Sequence, residues 1–326
     1  MVNGAENTSA PGPGNALDCA PFLTWRLRAL TLMQPGILAA AAAYFIWGLF
    51  PLYWRLLSQV PSTQIMAHRI VWCAIFVGGF LTLRNGPLWW RGIVAQRRLL
   101  LMLVTSAVLV GINWWLYIWS VNSGHIVETS LGYFINPLVS VLLGVVVLRE
   151  RLTRAQWLAV SVAAAGVAYL TLSFGVLPWI ALTLAASFGT YGLIRKVAVV
   201  EAVQGLAVES SVLLLPALAY LLWMESRGAG SFGHIDLAHN LLLALGGLVT
   251  ALPLVLFAYG ARRIPLALIG FLQYLAPTLQ LLLGVFLFGE AFTRTHLIGF
   301  GCIWAALVIY AADSLLRSRR RVPSVQ

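Results

Sequence analysis

Long apolar runs separated by short polar joints make up most of this chain. A helix that crosses a bilayer needs about 20 mostly apolar residues. Ten runs of that kind stand out: 36–54, 67–83, 99–120, 126–148, 156–172, 176–194, 207–224, 241–259, 266–288 and 297–315. The longest joint, Glu225 to Asn240, carries Gly and His and reads as a connector. No joint is long enough for a separate soluble domain. Residues 1–33 depart from the pattern. They are rich in Ala, Gly, Pro, Ser and Asn, a composition expected to stay disordered. They lack the apolar core and small-residue cleavage site of a signal peptide. Phe22 to Met33 fits a short surface-lying amphipathic piece around Arg26 and Arg28, and initiation at Met33 accounts for the tail equally well. Residues 316–326 form a basic tail at the other end.

The positive residues orient the runs. With the N-terminus in the cytoplasm, 17 of the 21 Lys and Arg fall on cytoplasmic segments, Arg195 and Lys196 among them. Arg55, Arg69, Arg227 and Arg294 fall outside. Cytoplasmic joints collect Lys and Arg, so both termini are expected inside. The net charge of +11 is then orienting charge, and nucleic acid is not an expected partner.

The apolar pattern also repeats. Pro137 to Arg154 aligns without a gap on Pro277 to Arg294, 140 residues later. Eight of the eighteen pairs are identical, among them Pro137/Pro277, Gly144/Gly284, Glu150/Glu290, Thr153/Thr293 and Arg154/Arg294. Chance pairing of apolar runs gives Leu on Leu; it does not readily give Pro, Gly, Glu, Thr and Arg in register. Upstream, Leu116-Tyr-Ile-Trp119 matches Leu256-Phe-Ala-Tyr259, and Trp47-Gly48 matches Tyr191-Gly192 at a slightly different offset. Each half holds an odd number of runs, so the second must be inserted upside down. Arg149 and Arg151 beside Glu150 give way to Gly289 and Ala291 beside Glu290, as an outward-facing copy requires. The expected architecture is an all-α integral membrane protein. It has ten transmembrane helices in two inverted five-helix repeats, 34–173 and 174–315. Matched, proline-interrupted segments in inverted halves point to a transporter's binding site.

Proline removes a backbone hydrogen bond and frees a carbonyl. In lipid such a break belongs against protein or a wet cavity. Pro137 and Pro277 are therefore candidate helix breaks or gates, with a plain packing kink as the other reading. Thr129, Tyr133, Asn136 and Ser140 share one helical face, and Ile269, Gln273, Ala276 and Gln280 hold the equivalent positions. Tyr133, Asn136, Gln273 and Gln280 are candidate substrate contacts or interhelical hydrogen bonds. In the third run Asn113 joins them, with a face of Trp115, Trp119 and Asn122. That aromatic face would stack a planar solute or form an interfacial belt; the first reading is favoured for Trp115, the second for Trp119. Ionisable residues inside spans are functional candidates. Here they are His68, Arg69, Glu128 and Glu209, with Arg69 and Glu209 at equivalent positions. All lie near helix ends, where snorkelling to the headgroups is the alternative. Glu150 and Glu290 are expected to cap helices or pair with nearby arginines.

Composition narrows the classes. Hydrophobic residues are 60% of the chain and charged residues 10%, against about a quarter charged in soluble domains. Cys19, Cys73 and Cys302 have no ligand spacing. His234, Asp236 and His239 sit in a loop without a further partner, so no metal or cofactor is expected. There is no Gly-rich Walker loop, so any driving force must come from a gradient or another subunit. The His-Glu-x-x-His and Gly-x-Ser-x-Gly signatures are absent, and no run holds two carboxylates, which disfavours an intramembrane enzyme. A carrier or scramblase of a lipid-like intermediate would share this layout and stays as the alternative.

Several stretches carry a family resemblance: Ala43-Tyr-Phe-Ile-Trp-Gly48, Ala67-His-Arg-Ile70, Asn113-Trp-Trp-Leu-Tyr-Ile-Trp119, Leu131-Gly-Tyr-Phe-Ile-Asn-Pro-Leu138 and Tyr191-Gly-Leu-Ile-Arg-Lys196. They resemble the EamA branch of the drug/metabolite transporter superfamily, its RarD-like members in particular, over roughly residues 34 to 315. The resemblance implies a small-molecule permease of the bacterial inner membrane. Its expected partners are a small-molecule substrate and the lipid bilayer, with a homodimer allowed and no cofactor required.

Overall fold

Lipid offers the backbone no water, so each spanning segment must satisfy its own N–H and C=O groups, which a helix does. The computed structural model describes residues 35–122, 126–173, 179–287 and 294–320, and among these no strand occurs. The N-terminal tail, with the Met33 start, lies outside the described residues, as do Glu290 and Thr293; the side chains of Asn122, Glu128 and Thr129 lie outside them too. In chain order the helices are α1 (35–48), α2 (Phe50–Leu56), α3 (Ser62–Asn85), α4 (Arg91–Ala95), α5 (Arg97–Asn122), α6 (Ile126–Val146) and α7 (Arg154–Ser173). They continue with α8 (Trp179–Val197), α9 (Ala202–Ser226), α10 (Leu237–Ala261), α11 (Leu266–Gln273), α12 (Leu275–Phe286) and α13 (Arg294–Arg320). Seven spans among the described residues are long and apolar enough to cross a membrane, and Gly132–Val146 and Leu297–Asp313 are shorter apolar stretches.

Several helices outrun the apolar runs that predict them. α3 starts at Ser62, directly after Pro61, and α9 at Ala202, after Glu201. Polar first turns extend a helix past its apolar stretch, because hydrogen bonding does not stop where lipid does. The connector after α9 is ordered by docking. Gln64 of α3 donates to Ala229 O at 2.7 Å and accepts from Ser231 N–H at 2.9 Å. Asp236 then caps α10 by accepting from His239 N–H at 2.8 Å. Those bonds from His239 hold the exposed Asp236 carboxyl below the usual carboxylate range. The short helix α4 falls in a joint where the apolar pattern signals no element.

Prolines set the breaks. Pro51 denies Trp47 O its helical donor, and the chain interrupts at Leu49 between α1 and α2. The side chain of Gln280, on α12, donates to that freed carbonyl at 3.3 Å. Pro277 does the same to Gln273 O, and the helix interrupts at Tyr274 between α11 and α12. The matched proline in the first half behaves differently: α6 runs unbroken through Pro137. The expectation of paired breaks is corrected on this point. The backbone of α11 packs directly on the Pro137 turn, so closely that a Cβ at Gly270 would stand 2.5 Å from Pro137 O. α6 has no room to open there, whereas Pro277 borders a cavity.

The most extensive packing is of α6 on α8, α7 on α13, α3 on α10 and on α9, α6 on α11, and α5 on α8. Small residues allow these backbones to approach. Gly299 lies against Leu170 and Gly166 against Cys302 where α13 crosses α7, and Gly247 of α10 lies against the backbone of Trp72 and Cys73 on α3. The central cluster joins Tyr44, Cys73, Tyr191, Leu206, Phe257 and Ile269 from both halves of the chain.

Candidate functional site

A cavity of about 200 Å³ opens between α1–α3, α5, α6 and α8 on one side and α10–α12 on the other. One end is closed by aromatics. Tyr191 and Phe257 stack with centroids 5.9 Å apart at 15°, and Tyr44 meets Phe257 edge-on at 6.1 Å. Trp47 and Phe188 form the next layer, 5.9 Å apart and nearly perpendicular. Offset and edge-to-face pairs are the favoured aromatic contacts, so this end forms a tightly packed plug.

The polar wall comes from α5, α6, α11 and α12. Asn113 Nδ2 donates to Leu184 O at 2.8 Å and to Ser187 Oγ at 2.9 Å, fixing α5 to α8. Ser140 Oγ donates to Gln273 Oε1 at 3.3 Å, tying α6 to α11. Asn113 and Gln273 both line the cavity and join helices, so the two readings of them do not compete. Two residues of the lining, Asn136 and Tyr44, each hold a buried oxygen, Oδ1 and Oη, that meets no hydrogen-bond partner among the described residues. Buried polar atoms are seldom left unpaired, so these two invite a solute or its hydration shell.

One cation faces the space. Arg69 Nε donates to Thr250 Oγ1 at 2.8 Å. Its guanidinium lies 4.7 Å from the ring centroid of Trp54, 5.0 Å from that of Trp114 and 5.8 Å from that of Phe50. No carboxylate of the described residues pairs with it, and none lines the cavity. Gly246 makes room for its stem. Arg69 thus points into the protein and does not snorkel.

Glu209 stands close by. A second void of about 10 Å³ shares Trp114, Thr250 and Leu254 with the cavity and reaches this carboxylate. Glu209 is 2% exposed, accepts from Ser106 Oγ, and lies 3.4 Å from Nη1 of Arg195, itself 1% exposed. Arg195 Nη2 donates to Ala202 O at 3.0 Å. Arg195 is therefore not the loop charge that the orientation count took it for. Lys196 donates to Ala261 O at 3.2 Å and to Ile264 O. Glu150 accepts from Leu266 N–H at 2.7 Å and from Ala267 N–H at 2.9 Å. It caps α11 from the end of α6, where the helix dipole favours a carboxylate, and its nearest cation is Lys196 at 3.8 Å. This network knits α6, α8 and the α10–α11 joint together.

The structure brings Asn113, Tyr133, Asn136, Gln273, Gln280, Pro277 and Arg69 to one cavity. It places others elsewhere. Trp115 and Trp119 stack on each other 6.5 Å apart on the outer face of α5, 56% and 37% exposed. Trp114, about 100° further round the helix, takes the wall position instead. His68 packs at 5.2 Å on Phe232 of the connector, away from the cavity. Trp47, Phe50, Trp54, Trp114 and Phe188 also line the cavity, and none of them was a site candidate from the sequence. An aromatic in an apolar span looks the same whether it faces lipid or protein, and Pro51 beside the matched Trp47-Gly48 was the available signal.

Comparison with known proteins decides the family. The EamA-like transporter family matches twice, over residues 34–172 and 177–312. Protein RarD of Streptomyces exfoliatus is 47% identical over 295 residues, covering 90% of this chain and 93% of that protein. The chain belongs to the EamA-like transporter family. It is a RarD-like member, a multi-pass protein of the bacterial inner membrane. The uncharacterized transporter YojE of Bacillus subtilis (strain 168) is 46% identical over 283 residues, covering 85% of this chain and 93% of YojE. A solved crystal structure superposes with a TM-score of 0.65 at 19% identity, covering 84% of this chain and 96% of its own. At that identity it supports a shared fold.

Proposed function

We propose that this EamA-family chain is a secondary permease that moves a small organic solute by alternating access through the central cavity. Its halves, 34–173 and 174–315, act as inverted five-helix repeats, with ten spans and both termini in the cytoplasm. The observation that carries the reading is the cavity itself. It is walled by both halves, and two of its lining residues, Asn136 and Tyr44, hold buried oxygens without a partner among the described residues.

The duplicated scaffold draws support from the packing. An axis that exchanges the halves pairs α3 with α9, α6 with α11–α12, and α7 with α13, and each of these pairs is in contact. It also exchanges Arg69 with Glu209, and Ser106 with Gly246. Ser106 meets Glu209 and Gly246 meets Arg69. The frame is symmetric and its chemistry is not.

With both termini inside, Phe50, Trp54, Arg69 and Tyr117 lie in the outer half of the membrane. The aromatic plug and the Arg195–Glu209, Lys196 and Glu150 contacts lie toward the cytoplasm. This conformation then faces outward, and inward opening must part the plug and the network behind it. Of the ionisable candidates for coupling, Glu209 and Arg69 flank the path.

Exchange in liposomes tests the transport reading. Metabolites that differ between cells lacking and overproducing the protein would be offered to proteoliposomes. At least one is expected to equilibrate faster than across protein-free liposomes. If none does, while fluorescent lipids flip faster, the lipid-carrier alternative replaces the permease.

A further inference from the structure

Among the described residues the cavity has one formal charge and no counter-ion. On the reading that it is the transport site, we propose that its substrate is a small organic anion, an apolar body of about one ring bearing a carboxylate-like group that pairs with Arg69.

Charge and hydrogen bonding argue for the anionic group. Arg69 spends one of its five N–H donors on Thr250, and among the described residues its two terminal nitrogens make no hydrogen bond. Among the described residues no Asp or Glu lines the cavity. A cation taken out of water is stabilised fully only by a partner with charge and acceptor oxygens. The neighbouring Trp54 and Trp114 rings supply quadrupole attraction but accept no hydrogen bonds. A planar carboxylate matches the guanidinium fork with two parallel bonds. A cationic solute would meet an uncompensated like charge.

Size and surface argue for the body. A cavity of about 150 Å³ lined by apolar side chains takes benzene, so 200 Å³ gives room for one ring and a short side group. Trp47 and Phe188 offer that ring perpendicular faces on the plug side, and Arg69 lies among Phe50, Trp54 and Trp114. Asn136 and Tyr44 of the lining carry buried oxygens without a hydrogen-bond partner among the described residues, which a side-chain rotation would turn toward a second polar group on the solute.

Three probes of equal skeleton test the inference on the purified full chain: 3-phenylpropanoate, 3-phenylpropanamide and 3-phenylpropylamine. Tryptophan fluorescence reports binding, because Trp47, Trp54 and Trp114 line the cavity. The propanoate is expected to bind about tenfold tighter than the amide, and the amine more weakly than both. Arg69→Gln is expected to bring the propanoate down to the amide's affinity while the amide is unchanged, which also shows the pocket intact. Arg69→Lys should keep part of the preference, and with the wild-type ranking it decides the case if Arg69→Gln does not fold. The proposal is overturned if amide or amine binds as tightly as the propanoate, if Arg69→Gln leaves the propanoate unaffected, or if none of the three binds at millimolar concentration. A charge-indifferent cavity that still exchanges a metabolite in proteoliposomes sinks only the anion; failure of all exchange sinks the permease.

Discussion

Gly247→Leu is expected to leave no folded protein in the membrane, and Gly247→Ala to lose about 1–3 kcal/mol. A Cβ at this position of α10 would lie 2.5 Å from the carbonyl carbon of Trp72 and 2.6 Å from the amide nitrogen of Cys73. Both are backbone atoms of α3, so no rotamer change relieves the clash and the two helices must separate. That separation would widen the contact from which Arg69 reaches Thr250. Gly78 and Gly79, also on α3, provide the control, since a Cβ at either meets nothing within 4 Å. Alanine there should be neutral or stabilising, because glycine costs a helix up to about 1 kcal/mol relative to alanine. Thermal unfolding in detergent compares the three alanine variants with the wild type, and the yield of protein in the membrane reads Gly247→Leu. A Gly247→Ala protein that melts with the wild type would show that the α3–α10 contact is looser than described.

Removing one partner of the buried Arg195–Glu209 pair is expected to cost about 3–5 kcal/mol, and removing both to cost much less. Either side chain alone would be a charge without a counter-ion among Tyr191, Leu206 and Ser210. Arg195→Met leaves the buried Glu209 carboxylate with only the neutral donors Ser106 and Tyr191 among the described residues. Glu209→Leu strands a guanidinium whose Nε already lacks a hydrogen-bond partner among the described residues. The double variant removes both charges and fills the space with apolar atoms. A double-mutant cycle on unfolding free energy isolates the coupling. Additive losses in the double variant would mean that the two groups do not stabilise each other.

Much of the fold was open to reading because lipid simplifies the problem. Length and apolarity marked the helices, and the offset between Pro137 and Pro277 pointed to the proposed repeat, in line with a family match over 34–172 and again over 177–312. The polar faces at Tyr133/Asn136 and Gln273/Gln280 could be read because a polar residue in an apolar span stands out, and spacings of three and four set it on one side. Rotation of a uniformly apolar helix is harder. α5 carries Trp114, Trp115 and Trp119 on different faces, and one residue of rotation decides which reaches the cavity. Arg69 and Glu209 stood out as costly residues, but their surroundings come from Thr250, Ser106 and Arg195, each more than a dozen positions away in sequence. Arg195 shows the limit most clearly: at the end of an apolar run a loop charge and a buried ion pair look alike. The unequal behaviour of Pro137 and Pro277 depends on Gly270, whose close approach to α6 no local pattern signals.

The central claim, that one cavity serves both sides of the membrane, is tested most directly by thiol access at position 136. In a chain with Cys19, Cys73 and Cys302 replaced by alanine, Asn136→Cys would be exposed to a membrane-impermeant maleimide, first on spheroplasts and then on inverted membrane vesicles. Alternating access predicts labelling from both faces, faster from the outside under the proposed outward-facing orientation of the cavity. Labelling from one face only, or from neither, would contradict it.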